Sequence, residues 1–467
     1  MQATFGTDGI RGVANQELTP ELALAVGRAV ARVVLSERFA IGRDSRRSGA
    51  MLQAALSAGL VSEGADVLDL GVLPTPGVAW YCERNGIPGA VISASHNPFQ
   101  DNGIKVFGAG GLKLDNVVER SIEAELERRL DAAREGPRPA AGHSVGRILD
   151  DLAVEEGYLD HLLGSLEGRS LGGLPVVVDG ANGAAWRVLP DVLSRAGADV
   201  TATGCEPDGV NINEGCGSLH PDNAAREVAA RGASLGLAVD GDGDRLVAVS
   251  ESGAVVDGDG LIALFARDLQ ARGRLAGKTV AVTVMSNLGL LRVLEEMGVA
   301  VRQTAVGDRY VLEEMARHGL SLGGEQSGHV IFRDQATTGD GILTGLLLAD
   351  LMVREGRSLD DMVRGLVDKV PQVLVNVPAG DPKAVVDSPS VREAAAAIEA
   401  KLGASGRVLL RASGTEPLVR VMVECDDEET ATASVDELVA AVVDAAVVVG
   451  AASAASPVSA PGSESPS

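Results

Sequence analysis

Two rhythms of apolar and polar positions alternate along the chain, and their order sets the expected architecture. Apolar residues recurring every three or four positions predict helices over 20–35, 51–63, 117–133, 154–166, 261–271, 288–297 and 391–402. Short unbroken apolar runs between them predict strands at 39–42, 66–70, 89–92, 175–178, 235–239, 279–284, 371–378, 407–411 and 418–424. The first helix carries its own start signals, with Thr19 as N-cap, Pro20 in the first position and Glu21 in the first turn. Strands alternating with helices predict an α/β fold built on parallel or mixed sheets. The 467 residues are too many for one core. They divide into three similar α/β domains and a smaller C-terminal α+β domain, expected at 1–142, 150–257, 258–368 and 372–448. The clearest linker is the Gly/Pro-rich stretch 135–142, and the Ala/Ser/Pro-rich segment 451–467 is expected to be a disordered tail.

Composition narrows the function. The formal net charge of −24 excludes nonspecific nucleic-acid binding, which needs Lys and Arg to neutralise phosphates. An anionic substrate would therefore require a local basic pocket in an acidic surface. Cys82, Cys205, Cys216 and Cys425 form no CxxC pair, as expected of reduced thiols in a cytoplasmic protein. The N-terminus has neither a basic segment nor an apolar run of a secretory signal. The Ala/Val-rich stretch 438–455 contains Asp444 and lacks Lys or Arg flanks, so a packed terminal helix is expected there and no membrane partner.

Four polar motifs carry the chemistry. Asp240-Gly-Asp-Gly-Asp-Arg245 follows an apolar strand, and alternate carboxylates separated by glycines can converge on one centre. Without a cation they would repel one another, and carboxylate oxygens suit hard Mg²⁺. Ser93-Ala-Ser-His-Asn-Pro98 places Ser95 beside His96 at a strand end, as a nucleophile or as a phosphoryl carrier. In Arg411-Ala-Ser-Gly-Thr-Glu-Pro417, the hydroxyls and backbone amides of Ser413, Gly414 and Thr415 suit an anion nest. Arg411 and Arg420 add guanidinium contacts, which together supply the required basic pocket. Gly323-Gly-Glu-Gln-Ser-Gly-His329 offers hydrogen bonds to sugar hydroxyls or proton transfer by His329. The segment GRLAGKT at 273–279 is one residue short of a P-loop and runs into an apparent strand, so no nucleotide site is expected there.

Taken in order, FGTDGIRG, SASHNP, DGDGDR, GEQSGH and RASGTEPLVRV resemble the α-D-phosphohexomutase family over residues 3–445. The resemblance implies four domains around a central cleft, each contributing one motif. It implies that Ser95 carries a phosphoryl group, with one Mg²⁺ held by Asp240, Asp242, Asp244 and an oxygen of that group. A sugar bisphosphate would serve as intermediate and activator. Arg11 and Arg245 would stabilise charge on the transferring group, with Lys105 and His329 moving protons. Glu325 and Ser327 would contact sugar hydroxyls, and Arg411, Ser413, Gly414, Thr415 and Arg420 would hold the phosphate that is not reacting. The small C-terminal domain would act as a lid that excludes water.

Two departures resemble the amino-sugar branch of that family: Gln326 in the sugar loop, and Val306-Gly-Asp-Arg-Tyr-Val311. They imply an amino-sugar phosphate as substrate, with Asp308 and Arg309 added to the binding residues and Asp308 or Glu325 facing the C2 ammonium. The alternative within the family is a glucose or mannose phosphate. A phosphatase using the acidic loop alone would leave Ser95 and Arg411 without roles. The expected partner is a small phosphosugar, bound by a monomer or homodimer.

Overall fold

A computed structural model describes residues 5–6, 9–130, 140–151, 153–413 and 417–455. The chain forms two compact units, one of residues 1–286 and 293–367, the other of residues 287–292 and 368–467.

The first unit contains three mixed sheets that repeat one topology. In each, a central strand lies parallel to a neighbour on either side, and one neighbour is followed by an antiparallel return strand. The central strands are Arg38–Arg43, Pro175–Asp179 and Thr279–Thr283. Gly89–Ile92, Leu235–Val239 and Leu322–Gly324 then turn back as Asp101–Phe107, Leu246–Ser250 and Val330–Phe332. These three outgoing strands are buried at every position, which explains their unbroken apolar sequences. Every polar group that follows is delivered to the carboxyl end of the sheet.

The second unit is an antiparallel three-stranded sheet of Gln372–Pro378, Leu418–Cys425 and Gly406–Ala412. Helices Pro389–Leu402 and Glu428–Ala455 pack on it around Val391, Ile398, Val421, Val423 and Leu438. Its loop 413–417 also joins a strand to an antiparallel return. All four motifs thus occupy one topological position, the turn into the return strand.

Most expected elements form with shifted ends. The helix expected at 20–35 is Pro20–Val34, with Thr19 Oγ1 accepting the Leu22 amide at 3.3 Å. The helix expected at 117–133 is Asn116–Leu130, and most of the expected linker lies outside the described residues. GRLAGKT is a 3₁₀ turn running into the strand Thr279–Thr283, not a phosphate loop opening a helix. The last helix extends through the Ala/Val-rich stretch, and no helix among the described residues is long and apolar enough to cross a membrane. The expected tail from 456 onward lies outside the described residues.

Candidate active site

Within the first unit, three motif loops meet. Ser95 lies in the turn after Gly89–Ile92 with φ of 53°, a left-handed conformation that a serine adopts only when its surroundings enforce it. The enforcement is visible: its amide donates to Ser93 Oγ at 2.9 Å, and Ser93 Oγ donates to Asp44 Oδ2 at 2.6 Å. Its side chain is buried and donates to Asp240 Oδ2 at 2.6 Å, across the boundary between the first and second sheets.

Asp240, Asp242 and Asp244 bring ligand oxygens within 4.8 Å of one another, all buried. Burial and the neighbouring Asp244 and Asp242 push Asp240 well above the ordinary carboxylate range; burial and Asp242 raise Asp244 as well. Lys105 Nζ supplies part of the countercharge, 2.8 Å from Asp242 Oδ2 and 3.7 Å from Asp244 Oδ2. Asp244 Oδ1 is buried and accepts no hydrogen bond among the described residues. An oxygen-only cluster with mutual repulsion and an unused buried oxygen fits Mg²⁺.

The surrounding cations act on His96. Its Nδ1 lies 3.2 Å from Ser95 Oγ, and burial with the Arg245 and Arg11 charges pushes its pKa down to about 4. The imidazole is therefore neutral at pH 7, an acceptor or donor that adds no charge. Arg11 also reaches Asn97 Oδ1 at 3.3 Å, and the Arg245 amide donates to Asp240 Oδ1 at 3.1 Å.

The sugar loop joins through backbone contacts. Leu246 N donates to Gly328 O at 3.0 Å, and a side chain at Gly328 (φ 94°) would strike Leu246 O at 2.1 Å. Glu325 is raised chiefly by burial, and its Oε1 accepts the Gly307 amide at 3.2 Å. Ser327 is exposed. His329, expected to transfer protons, is buried in the same loop. Its Nε2 lies 3.2 Å from the Gly339 amide nitrogen and 3.6 Å from Asp308 Oδ2. Asp308 forms an ion pair with Lys113 at 2.7 Å. Arg309, expected among the substrate-binding residues, donates to both oxygens of Glu119 and to Asn116 Oδ1 at 2.6 Å, bridging the third sheet's domain to the first.

In the second unit, Arg411 and Arg420 are register partners on adjacent antiparallel strands. Opposed like charges are unfavourable, and burial with the Arg420 charge lowers the Arg411 pKa. Arg411 Nε is buried without a hydrogen bond among the described residues. The pair suits an anion. Ser413 N donates to Leu418 O at 2.9 Å, while Gly414 and Thr415 lie outside the described residues.

Sequence reasoning missed three residues. Thr75 Oγ1 donates to Asp242 Oδ2 at 2.6 Å, Arg46 is wrapped around the Ser95 loop, and Asn213 reaches the same loop from the second domain. Thr75 precedes a proline at a helix start and reads as a capping residue. Asn213 lies in a polar loop with no local signal. Arg46 ends the polar segment Gly42-Arg-Asp-Ser-Arg46, whose sequence marks it as a cation and nothing more.

Models of the four domains of phosphoglucomutase/phosphomannomutase match in order: α/β/α domain I at 2–132, domain II at 156–253, domain III at 257–370 and the C-terminal domain at 374–441. The chain belongs to the phosphoglucomutase/phosphomannomutase family. The phosphoglucosamine mutase of Nocardia farcinica is 53% identical over 91% of this chain and 96% of its own length. That of Saccharopolyspora erythraea is 52% identical over 95% and 100%. A solved family structure from Burkholderia thailandensis superposes with a TM-score of 0.80 at 25% identity, covering 95% of this chain and 98% of its own. The N-acetylphosphoglucosamine mutase of Aspergillus fumigatus, solved with GlcNAc-6P and magnesium, shares the fold at TM-score 0.68 and 18% identity, covering 95% and 96%.

Proposed function

We propose that the protein interconverts glucosamine 6-phosphate and glucosamine 1-phosphate in the cytoplasm, for cell-wall precursor synthesis, through a phosphoserine at Ser95. The observation that carries the mutase reading is the 2.6 Å hydrogen bond from Ser95 Oγ to Asp240 in a buried carboxylate cluster. A hydroxyl so placed is a phosphoryl carrier seated against a metal site. The curated relatives of about the same length support the amino sugar.

In this reading a sugar hydroxyl attacks the phosphorus on Ser95, the bond to Oγ breaks, and the hydroxyl proton ends on the departing Ser95 Oγ, with Lys105 and His329 as the proton-transfer residues. The resulting bisphosphate turns over and returns its other phosphate to Ser95; free bisphosphate primes an unphosphorylated enzyme. Bound Mg²⁺, held by Asp240, Asp242 and Asp244, would neutralise charge on the transferring group. Arg11 and Arg245 add to that neutralisation. Arg411, Ser413, Gly414, Thr415 and Arg420 hold the distal phosphate, and Glu325 and Ser327 bind the sugar. Of the two carboxylates considered for the C2 ammonium, Asp308 is already neutralised by Lys113, which leaves Glu325.

The test is kcat/KM for glucosamine, glucose and mannose 6-phosphates under one set of conditions with Mg²⁺. Glucosamine 6-phosphate should be preferred, with residual activity on glucose 6-phosphate because one charged hydrogen bond discriminates only modestly. A preference for glucose or mannose phosphate would refute the substrate and leave the serine chemistry standing.

A further inference from the structure

Ser95 and Asp240 belong to different domains, yet phosphoryl transfer requires them in fixed register. The carbonyl oxygens of Ser95 and Asn97 show what holds it. Arg46 Nη2 donates to both, at 2.8 and 2.9 Å. Asn213 Nδ2 donates to the same two, at 3.0 and 3.0 Å. One donor comes from the Ser95 domain and the other from the domain of the metal loop.

Each donor is itself anchored. Arg46 is buried, and its Nε donates to Asp44 Oδ2 at 2.8 Å while Nη1 donates to Pro98 O and to Asp101 O at 3.0 Å. Asn213 has φ of 61°, and its amide donates to Ala181 O at 2.9 Å. The metal loop touches the same point. A side chain at Gly241, next to Asp240, would lie 2.5 Å from Ser95 O and 2.8 Å from Asn213 Nδ2.

We infer that Arg46 and Asn213 clamp the Ser95 loop, and that Asn213 is the positioning residue that locks the register between Ser95 and the Asp240 loop. The inference rests on the phosphoserine reading above. Sugar and distal-phosphate contacts belong to other residues, so loosening the clamp should disturb the transfer step and spare substrate binding. A loop held only by its own domain would let Ser95 Oγ drift from the carboxylates, and small misplacements of reacting groups are costly.

The test uses N213D, which keeps the shape and tolerates left-handed backbone but replaces the donor with an acceptor, and N213G, which keeps the backbone and deletes the amide. Both are compared with wild type at matched folded fraction by circular dichroism. Expected are a kcat about a hundredfold lower, KM within about twofold of wild type, and Ser95 phosphorylation by glucosamine 1,6-bisphosphate slowed by a similar factor in intact-mass time courses. If one variant does not fold, the other decides. A kcat within about threefold of wild type in a folded variant, or a loss confined to KM, would overturn the clamp. A wild-type protein without mutase activity would instead overturn the functional reading.

Discussion

Ser95→Ala should lose mutase activity by on the order of 10⁴-fold or more while the protein still folds. The adjacent hydroxyl is no substitute: Ser93 Oγ is committed to Asp44 Oδ2 at 2.6 Å and accepts the Ser95 amide at 2.9 Å. The fold should survive because the loop is held through backbone groups of residue 95. Its amide bonds to Ser93 and its carbonyl to Arg46 and Asn213, none of which needs the Ser95 hydroxyl. Circular dichroism and melting temperature should match wild type within a few degrees. Wild-type turnover in the folded variant would remove the phosphoserine from the mechanism.

Asp240→Asn should produce opposite changes in activity and in metal-free stability. Asparagine keeps the shape and can accept from the Ser95 hydroxyl, but it removes a charge from the metal cluster and gives up the bond from the Arg245 amide. Activity should fall on the order of a thousandfold, the scale of several kcal/mol of lost charge stabilisation. Metal-free stability should rise. Burial and the adjacent carboxylates raise the Asp240 pKa in the folded state, so stability present below the unfolded carboxylate pKa is lost as pH rises through the folded value. Above the folded Asp240 pKa the wild type therefore carries a repulsion that the asparagine variant lacks. Adding Mg²⁺ should raise the wild-type melting temperature by mass action and raise that of the variant much less. Equal Mg²⁺-induced shifts in the two proteins would place the metal elsewhere.

The fold was legible wherever burial imposes a continuous apolar run. Leu235–Val239 and Gly89–Ile92 form as read because every residue of each is buried. The return strands were harder. Asp101–Phe107 includes two buried polar residues that break the apolar pattern: Asn102, which donates to Ser48 Oγ, and Lys105, which serves the acidic cluster. The same conflict separates the site residues found from those missed. Asp240, Asp242 and Asp244 announce themselves by spacing alone, since alternate carboxylates at a strand end have few other uses. Thr75, Arg46 and Asn213 act on partners 167, 49 and 118 positions away, and only tertiary packing creates those contacts. Arg309, marked by its motif, also donates to Glu119, a contact 190 positions away that its motif does not announce.

The path of one phosphate tests transfer through Ser95 most directly. The protein is freed of phosphate, loaded on Ser95 from labelled glucosamine 1,6-bisphosphate, separated from sugar, and mixed with unlabelled glucosamine 6-phosphate and Mg²⁺. The label should leave Ser95 and appear in glucosamine bisphosphate and then in glucosamine monophosphate. Label retained on the protein through many turnovers, or released only as inorganic phosphate, would contradict transfer through Ser95.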